Sequence, residues 1–206
     1  MASKIKVDEL ETVSGSGNIV LNNALSGSGA SLTSLPAANL TGTLPAISGA
    51  SLTGVGKVLQ VVKTVYTGYG GGTTVTPYDD TIPTSSEGTA FSAIDTAITA
   101  SNSSNILRIT VSGMFGGSTN FWHTIALFKD SEASASHTIY HYITGSTRSN
   151  PVHTVYHQVA GSTSAQTWKI RSGPHTSGTV TIGGDGGNRK YGGSLHSVMQ
   201  IEEIAV

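Results

Sequence analysis

Leu107-Arg108-Ile109-Thr110-Val111 and, far downstream, Val198-Met199-Gln200-Ile201-Glu202-Glu203-Ile204 set apolar and polar side chains in alternation. Successive side chains on a strand point to opposite faces, so each run reads as a strand with one buried face. Working outward from these two, comparable runs lie at 58–67, 121–129, 137–144, 152–159, 167–172 and 179–182, and the two anchoring strands extend over 106–115 and 195–204. Residues 91–99 fit either a strand or a helical turn. Between the runs stand Gly70-Gly71-Gly72, Gly116-Gly117, Gly173-Pro174 and Gly183-Gly184-Asp185-Gly186-Gly187, which read as turns. Eight or nine short strands divided by turns predict an all-β fold, a two-sheet sandwich of jelly-roll type over residues 57–206.

Composition agrees. Only 11% of the 206 residues are charged, against a usual share of roughly a quarter, and Gly, Ser and Thr fill the gap. Such a composition can mark disorder, but disordered chains are also poor in β-branched and aromatic residues, and this chain is rich in them after Lys57. A net charge of −1 supplies no basic footprint for a nucleic acid and no electrostatic pull toward a membrane. The absence of cysteine excludes disulfides and thiolate metal sites. Met1 to Leu10 contain no apolar h-region, so this opening does not read as a signal peptide. No stretch approaches the ~20 apolar residues that span a bilayer, so membrane insertion is not expected.

Upstream of the strands a phrase is written three times: Ala30-Ser31-Leu32-Thr33-Ser34, Ala38-Asn39-Leu40-Thr41-Gly42 and Ala50-Ser51-Leu52-Thr53-Gly54. Leu35-Pro36-Ala37 and Leu44-Pro45-Ala46 are interleaved with it. One chain has little here to bury, so the repeats must pack against neighbouring copies. Three parallel chains would bring Leu32, Leu35, Leu40, Leu44, Ile47 and Leu52 to a shared axis, making residues 29–56 an intertwined trimeric β shaft. Pro36 and Pro45 exclude a coiled coil, and a flexible linker would lack regularly placed leucines. In residues 1–28, Lys4-Ile5-Lys6-Val7-Asp8 alternates as a short strand, and Ile19-Val20-Leu21 stand among glycines. So short an edge needs a larger body to dock on. The extended segment reads as an attachment segment, a disordered tail being the alternative.

The opening Ala2-Ser3-Lys4-Ile5-Lys6-Val7-Asp8-Glu9-Leu10, the Leu-Thr-Gly and Leu-Pro-Ala repeats, and the ending Gly192-Gly193-Ser194-Leu195 through Ile201-Glu202-Glu203-Ile204 together resemble short fibre-like virion proteins of tailed bacteriophages. The resemblance covers the whole chain as a layout. It implies a homotrimer whose N-terminal segment, with Ile5, Val7, Leu10, Ile19 and Leu21, binds a phage capsid or tail protein. The slender shaft would then lead to a C-terminal knob similar to the tumour-necrosis-factor or C1q type. Assembly in the host cytoplasm and release by lysis would follow, without a signal peptide. Because the family includes tail fibres and capsid decorations, two roles stand open: a capsid decoration or head fibre, or a tail fibre that recognises a host surface glycan or protein. The shortness of the shaft favours the first, since 28 residues fully extended at ~3.3 Å each reach only ~90 Å.

Candidate chemistry is sparse. His137-Thr138-Ile139-Tyr140-His141 is echoed by His153-Thr154-Val155-Tyr156-His157. On strands, histidines four apart lie ~13 Å from each other, too far to share one ion. A hairpin centred on Thr147 would instead set His141 against His153 and His137 against His157. Such pairs, ~5 Å apart at Cβ, would be close enough to bridge a metal or to repel when protonated. No carboxylate is spaced to complete a site, so no metal and no cofactor is expected. Gly183 to Gly193 read as a long exposed loop, because a phosphate loop should open a helix. Asp185, Asn188, Arg189 and Tyr191 on that loop, with Tyr66, Tyr69 and Tyr78, form the candidate ligand-binding set. Phe121 and Trp122 are further glycan candidates, although Trp122 and Trp168 read more readily as core. No Ser sits in a nucleophile elbow; adjacent residues on a strand, such as Glu202-Glu203, point to opposite faces, and Asp79-Asp80 reads as part of a loop after Pro77-Tyr78 whose spacing does not support a Ca²⁺ site. The expectation is a non-enzyme.

Overall fold

Both anchoring runs are strands, and they pair with each other. In a computed structural model, which describes residues 57–145 and 148–206, Ile106–Ser112 lie antiparallel to Val198–Ile204, with Ile109 opposite Ile201. In chain order the strands are β1 (Val58–Tyr66), β2 (Gly70–Gly72), β3 (Thr89–Ala90), β4 (Thr96–Thr99), β5 (Ile106–Gly117), β6 (Phe121–Lys129), β7 (His137–Ile143), β8 (Arg148–Val159), β9 (Ala165–Pro174), β10 (Val180–Ile182), β11 (Gly184–Asp185), β12 (Asn188–Arg189) and β13 (Ser197–Ile204). Among the described residues there is no α-helix, only 3-10 turns at Ser92–Ile94 and Tyr191–Gly193. The segments 1–28 and 29–56, and with them every attachment and shaft residue named above, lie outside the described residues.

One sheet runs β1-β13-β5-β8. Along one edge of β5, β13 takes Ile106–Ser112 and β10, followed by β2, takes Phe115–Gly117, while β8 covers the other edge throughout. The second sheet sets β9 between β6-β7 on one side and the short strands β3 and β4 on the other. From β4 to β10 the chain crosses between the sheets at every connection except the β6-β7 hairpin, giving a jelly-roll sandwich. The alternation works as read: Leu107, Ile109 and Val111 are buried while Arg108, Thr110 and Ser112 are not. Phe115, Phe121, Leu107, Ile109, Trp168, Ile170, Met199 and Ile201 fill the space between the sheets. Trp168 is fully buried, as its sequence context suggests.

Several expectations change or resolve: Gly116-Gly117 and Gly173-Pro174, read as turns, are the paired ends of β5 and β9. Gly70-Gly71-Gly72 is no turn but β2, paired with β10; a triglycine has no side-chain period, and here a Cβ on Gly72 would collide with Thr89. Residues 91–99 divide into the 3-10 turn Ser92–Ile94 and the strand β4. The histidine hairpin does not form. Strand β7 pairs with β6, and β8 with β5 in the other sheet, so His141 faces His123 while His153 and His157 face Ser112 and Arg108. Ser149, Asn150 and Pro151, which a hairpin centred on Thr147 would place beside its turn, already belong to β8.

Gly183 ends β10 with φ of 73° and donates its N–H to the Met114 carbonyl, 3.2 Å away. A Cβ there would fall on the carbonyl oxygen of Gly68. Left-handed backbone and a rigid neighbour act together, so Gly183→Ala is expected to cost at least about 1 kcal/mol. Urea denaturation checks this; an unchanged midpoint would mean that the turn relaxes freely.

Candidate functional site

In register on β6 and β7, Trp122 stands opposite Tyr142, Thr124 opposite Tyr140 and Ala126 opposite Thr138, on the sheet face opposite to His123 and Ile125; Thr124 and Ala126 are nonetheless buried on that face. Tyr78, on the long connection between β2 and β3, lies flat on Trp122 with ring centroids 5.1 Å apart and planes 7° from parallel. Tyr140 meets both rings edge-on at 5.3 and 5.5 Å, and Tyr142 meets Trp122 at 4.9 Å. Offset stacking and edge contacts are the favoured aromatic geometries. The connection is pinned by backbone bonds from Thr76 N–H to the Pro174 carbonyl (2.9 Å), Ala135 N–H to Pro83 (2.9 Å) and Ser85 N–H to Ala133 (2.8 Å).

Between this connection and β7 opens a groove of about 610 Å³, lined among others by Tyr78, Asp79, Thr81, Ser136, Thr138 and Tyr140. Asp79 Oδ1 accepts hydrogen bonds from Thr81 N–H (2.9 Å) and the Thr81 hydroxyl (2.5 Å). A hydrogen bond with the Tyr140 side chain, and then partial desolvation, hold the Tyr78 phenol above the usual tyrosine range. The arrangement is a hydroxyl-rich, aromatic-walled trough.

The ligand-binding set read from sequence is divided by the structure. Tyr78 lines the groove. Tyr66 packs against the core and its hydroxyl donates to the Tyr69 carbonyl (2.5 Å), so it is committed to the fold. Tyr69 lines a separate cavity with Gly186 and Gly187, and Asp185 and Tyr191 line another. Asp185 is paired with Lys190 at 2.8 Å, and Asn188 Nδ2 donates to the Gly186 carbonyl. Arg189 closes the two-stranded β11-β12 ribbon opposite Gly184. Phe121 is buried and therefore no surface candidate, whereas Trp122 is not core but the floor of the aromatic stack. Tyr140 and Tyr142, which flank His141, are further groove and stack residues not among the sequence candidates. The period of two held the signal, since it sets Thr138, Tyr140 and Tyr142 on one face and His137, Ile139 and His141 on the other.

His137 and His141 lie half-buried on the other face of β7, and His137 also reaches the groove. His123 is fully buried, its Nε2 2.5 Å from the Ser172 hydroxyl and its ring centroid 4.8 Å from that of His141. Burial, and then the neighbouring His141, lower its pKa to about 3; burial also lowers that of His141. His123 Nδ1 and His141 Nε2 have no hydrogen-bond partner among the described residues. His137 bonds the Thr154 hydroxyl at 2.8 Å and stacks on Tyr156. Among the described residues no three His, Asp or Glu side chains converge to hold a metal ion.

No protein-family model matches the chain, and no curated protein matches it. Solved structures with a similar course include the Eiger TNF of S. frugiperda, at 7% identity and a TM-score of 0.43 over 70% of this chain and 93% of that one. The infectious bursal disease virus Gx strain matches at 12% identity and a TM-score of 0.32, over 71% of this chain and 42% of that one. The enzymatically active domain of bacteriophage CBA120 tailspike protein 4 matches at 10% and 0.25, over 61% of this chain and 19% of that one. Likenesses this distant carry no argument about function.

Proposed function

We propose that the chain is a non-enzymatic structural protein of a tailed-phage virion, a homotrimer anchored by its N-terminal segment and displaying the jelly-roll knob as a capsid decoration or head fibre. The observation that supports it most is the outer face of the β1-β13-β5-β8 sheet. Val61 and Val65 on β1 and Val155 and Val159 on β8 are between 39% and 55% exposed. Between them lie Lys63, Gln200 and Thr110 in one row, and Glu202, Arg108 and His157 in the next. A lone subunit gains nothing from presenting four valines on one sheet face, and a second copy would recover roughly 1 kcal/mol from each. With the leucine repeats upstream, which call for parallel neighbours, a closed trimer satisfies both segments.

The tail-fibre alternative, a knob that recognises a host glycan or protein, is favoured by one observation, the aromatic groove. Electron microscopy of virions labelled with an antibody to residues 57–206 separates the two roles. Label over the shell is expected; label confined to the tail would replace the decoration role, and no label on particles would overturn the virion assignment. The sheet face has its own test. Val61→Glu with Val155→Glu is expected to raise at least tenfold the concentration at which the oligomer dissociates, with the circular dichroism of the knob unchanged. An unaltered dissociation curve would remove this face from the interface.

A further inference from the structure

We propose that the groove between the Pro77–Pro83 stretch and β7 binds a neutral carbohydrate, with one pyranose ring laid against Tyr78 and Tyr140. The volume, about 610 Å³, lies within the range of small-molecule sites, roughly 300 to 1,000 Å³. Its walls pair aromatic surface with short hydrogen-bonding groups, the two faces that a sugar presents. The axial C–H groups of a hexose pack on an aromatic ring, and its hydroxyls need donors and acceptors at the ring edge. Tyr78 and Tyr140 are 49% and 56% exposed. Asp79, Thr81, Ser136 and Thr138 supply the polar rim.

The ring that stacks is preorganised. Trp122 covers one face of Tyr78 at 5.1 Å, and Tyr140 abuts both rings edge-on. Two strands and a pinned connection therefore hold the platform before any ligand arrives, which lowers the ordering cost of binding. Apolar side chains of this size, gathered on the outer face of a sheet that already has a full core on its inner face, are not needed to bury the sandwich.

Charge selects the class. No Lys or Arg lines the groove; its one fixed charge is the Asp79 carboxylate, and the His137 imidazole, the other titratable side chain there, is engaged with the Thr154 hydroxyl, so uronic and sialic acids would meet repulsion rather than a permanent counter-ion. Asp79 has one oxygen engaged by Thr81, leaving the other as an acceptor suited to a sugar hydroxyl or an acetamido N–H. Neutral hexoses and N-acetylhexosamines fit this lining. The site is independent of the oligomer proposed above, because it lies on the other sheet.

The test uses the full chain on an array of neutral oligosaccharides of glucose, galactose, mannose, N-acetylglucosamine and N-acetylgalactosamine, with acidic oligosaccharides on the same slide. Retention on at least one neutral class is expected, reduced at least tenfold by Tyr140→Ala and by Asp79→Ala. Tyr140→Phe, which keeps the ring and the fold, is expected to retain most binding. No retention on any neutral class, retention confined to acidic sugars, or retention unaffected by Tyr140→Ala would overturn the proposal. The oligomer mass, measured on the same samples, stays constant in every case and so separates this result from that of the assembly.

Discussion

Glu203→Ala is expected to destabilise the knob by about 3 to 5 kcal/mol, the largest loss from any single side chain outside the aromatic core. Glu203 is fully buried on β13, facing inward between β1 and the turn that precedes β5. Its Oε1 accepts from Ser101 N–H (2.8 Å), the Ser101 hydroxyl (2.7 Å), Asn105 Nδ2 (2.6 Å) and, more weakly, Asn102 N–H (3.4 Å). Its Oε2 accepts from Gln60 Nε2 (2.6 Å). Removing the carboxylate strands donors from two segments at once, β1 and the Ser101–Asn105 turn, whereas Glu203→Gln keeps one oxygen for that turn and should cost less, about 1 to 2 kcal/mol. Burial opposes ionisation, but the hydrogen bonds from Asn105, Gln60 and Ser101 prevail and lower the pKa to about 2. This stabilisation is present above the unfolded value near 4.5 and is lost as pH falls toward 2, an amount of about 3 kcal/mol. Urea titrations of wild type and both variants at pH 7 measure the first effect; a loss below 1 kcal/mol for Glu203→Ala would mean that water replaces the carboxylate.

Acid acts earlier through His123. Its folded pKa of about 3 lies below the ordinary 6.5, so between those values the unfolded chain binds the proton and the folded chain does not. Stability is complete above pH 6.5 and falls as pH is lowered through that window. The expected loss from His123 alone is about 2 kcal/mol between pH 7 and pH 5, and about 4 kcal/mol once pH 3 is reached. His141, also shifted downward, adds in the same direction. The side chains against His123 are Phe115, Phe121, His141 and Ser172, none of them an anion that would stabilise the imidazolium. His123→Phe combined with Ser172→Ala should remove much of the slope between pH 7 and 5 in urea midpoints, where Glu203 contributes little. A wild-type midpoint that is flat over that interval would contradict the assignment.

Much of the sandwich was legible because strands announce themselves by a period of two. Leu107, Ile109 and Val111 fixed the inner face of β5, and Phe121–Lys129 coincides with β6. What resisted reading was pairing between distant strands. His-Thr-Ile-Tyr-His and His-Thr-Val-Tyr-His look like two arms of one hairpin, yet the chain between them passes from one sheet to the other, and no local property of residues 137–157 reveals that their partners are β6 and β5. Glycine-rich strands such as β2 and β11 carry no side-chain pattern at all. The candidate site was half visible. Tyr78 and Trp122 were named for their chemistry, but their stacking depends on a connection whose course is set by bonds to Pro174 and Ala133, far away in sequence.

Glu203 contributes to the stability of a single knob; in the trimer proposed above, the valines of the β1-β13-β5-β8 face and the leucine repeats would be stabilised by neighbouring copies. Sedimentation equilibrium of the full chain at micromolar concentration tests that proposal most directly. A mass three times the 21.1 kDa of one chain is the expected result. A mass of 21.1 kDa that persists as concentration rises would contradict the trimer and, with it, the role proposed for the repeats and for the exposed sheet face.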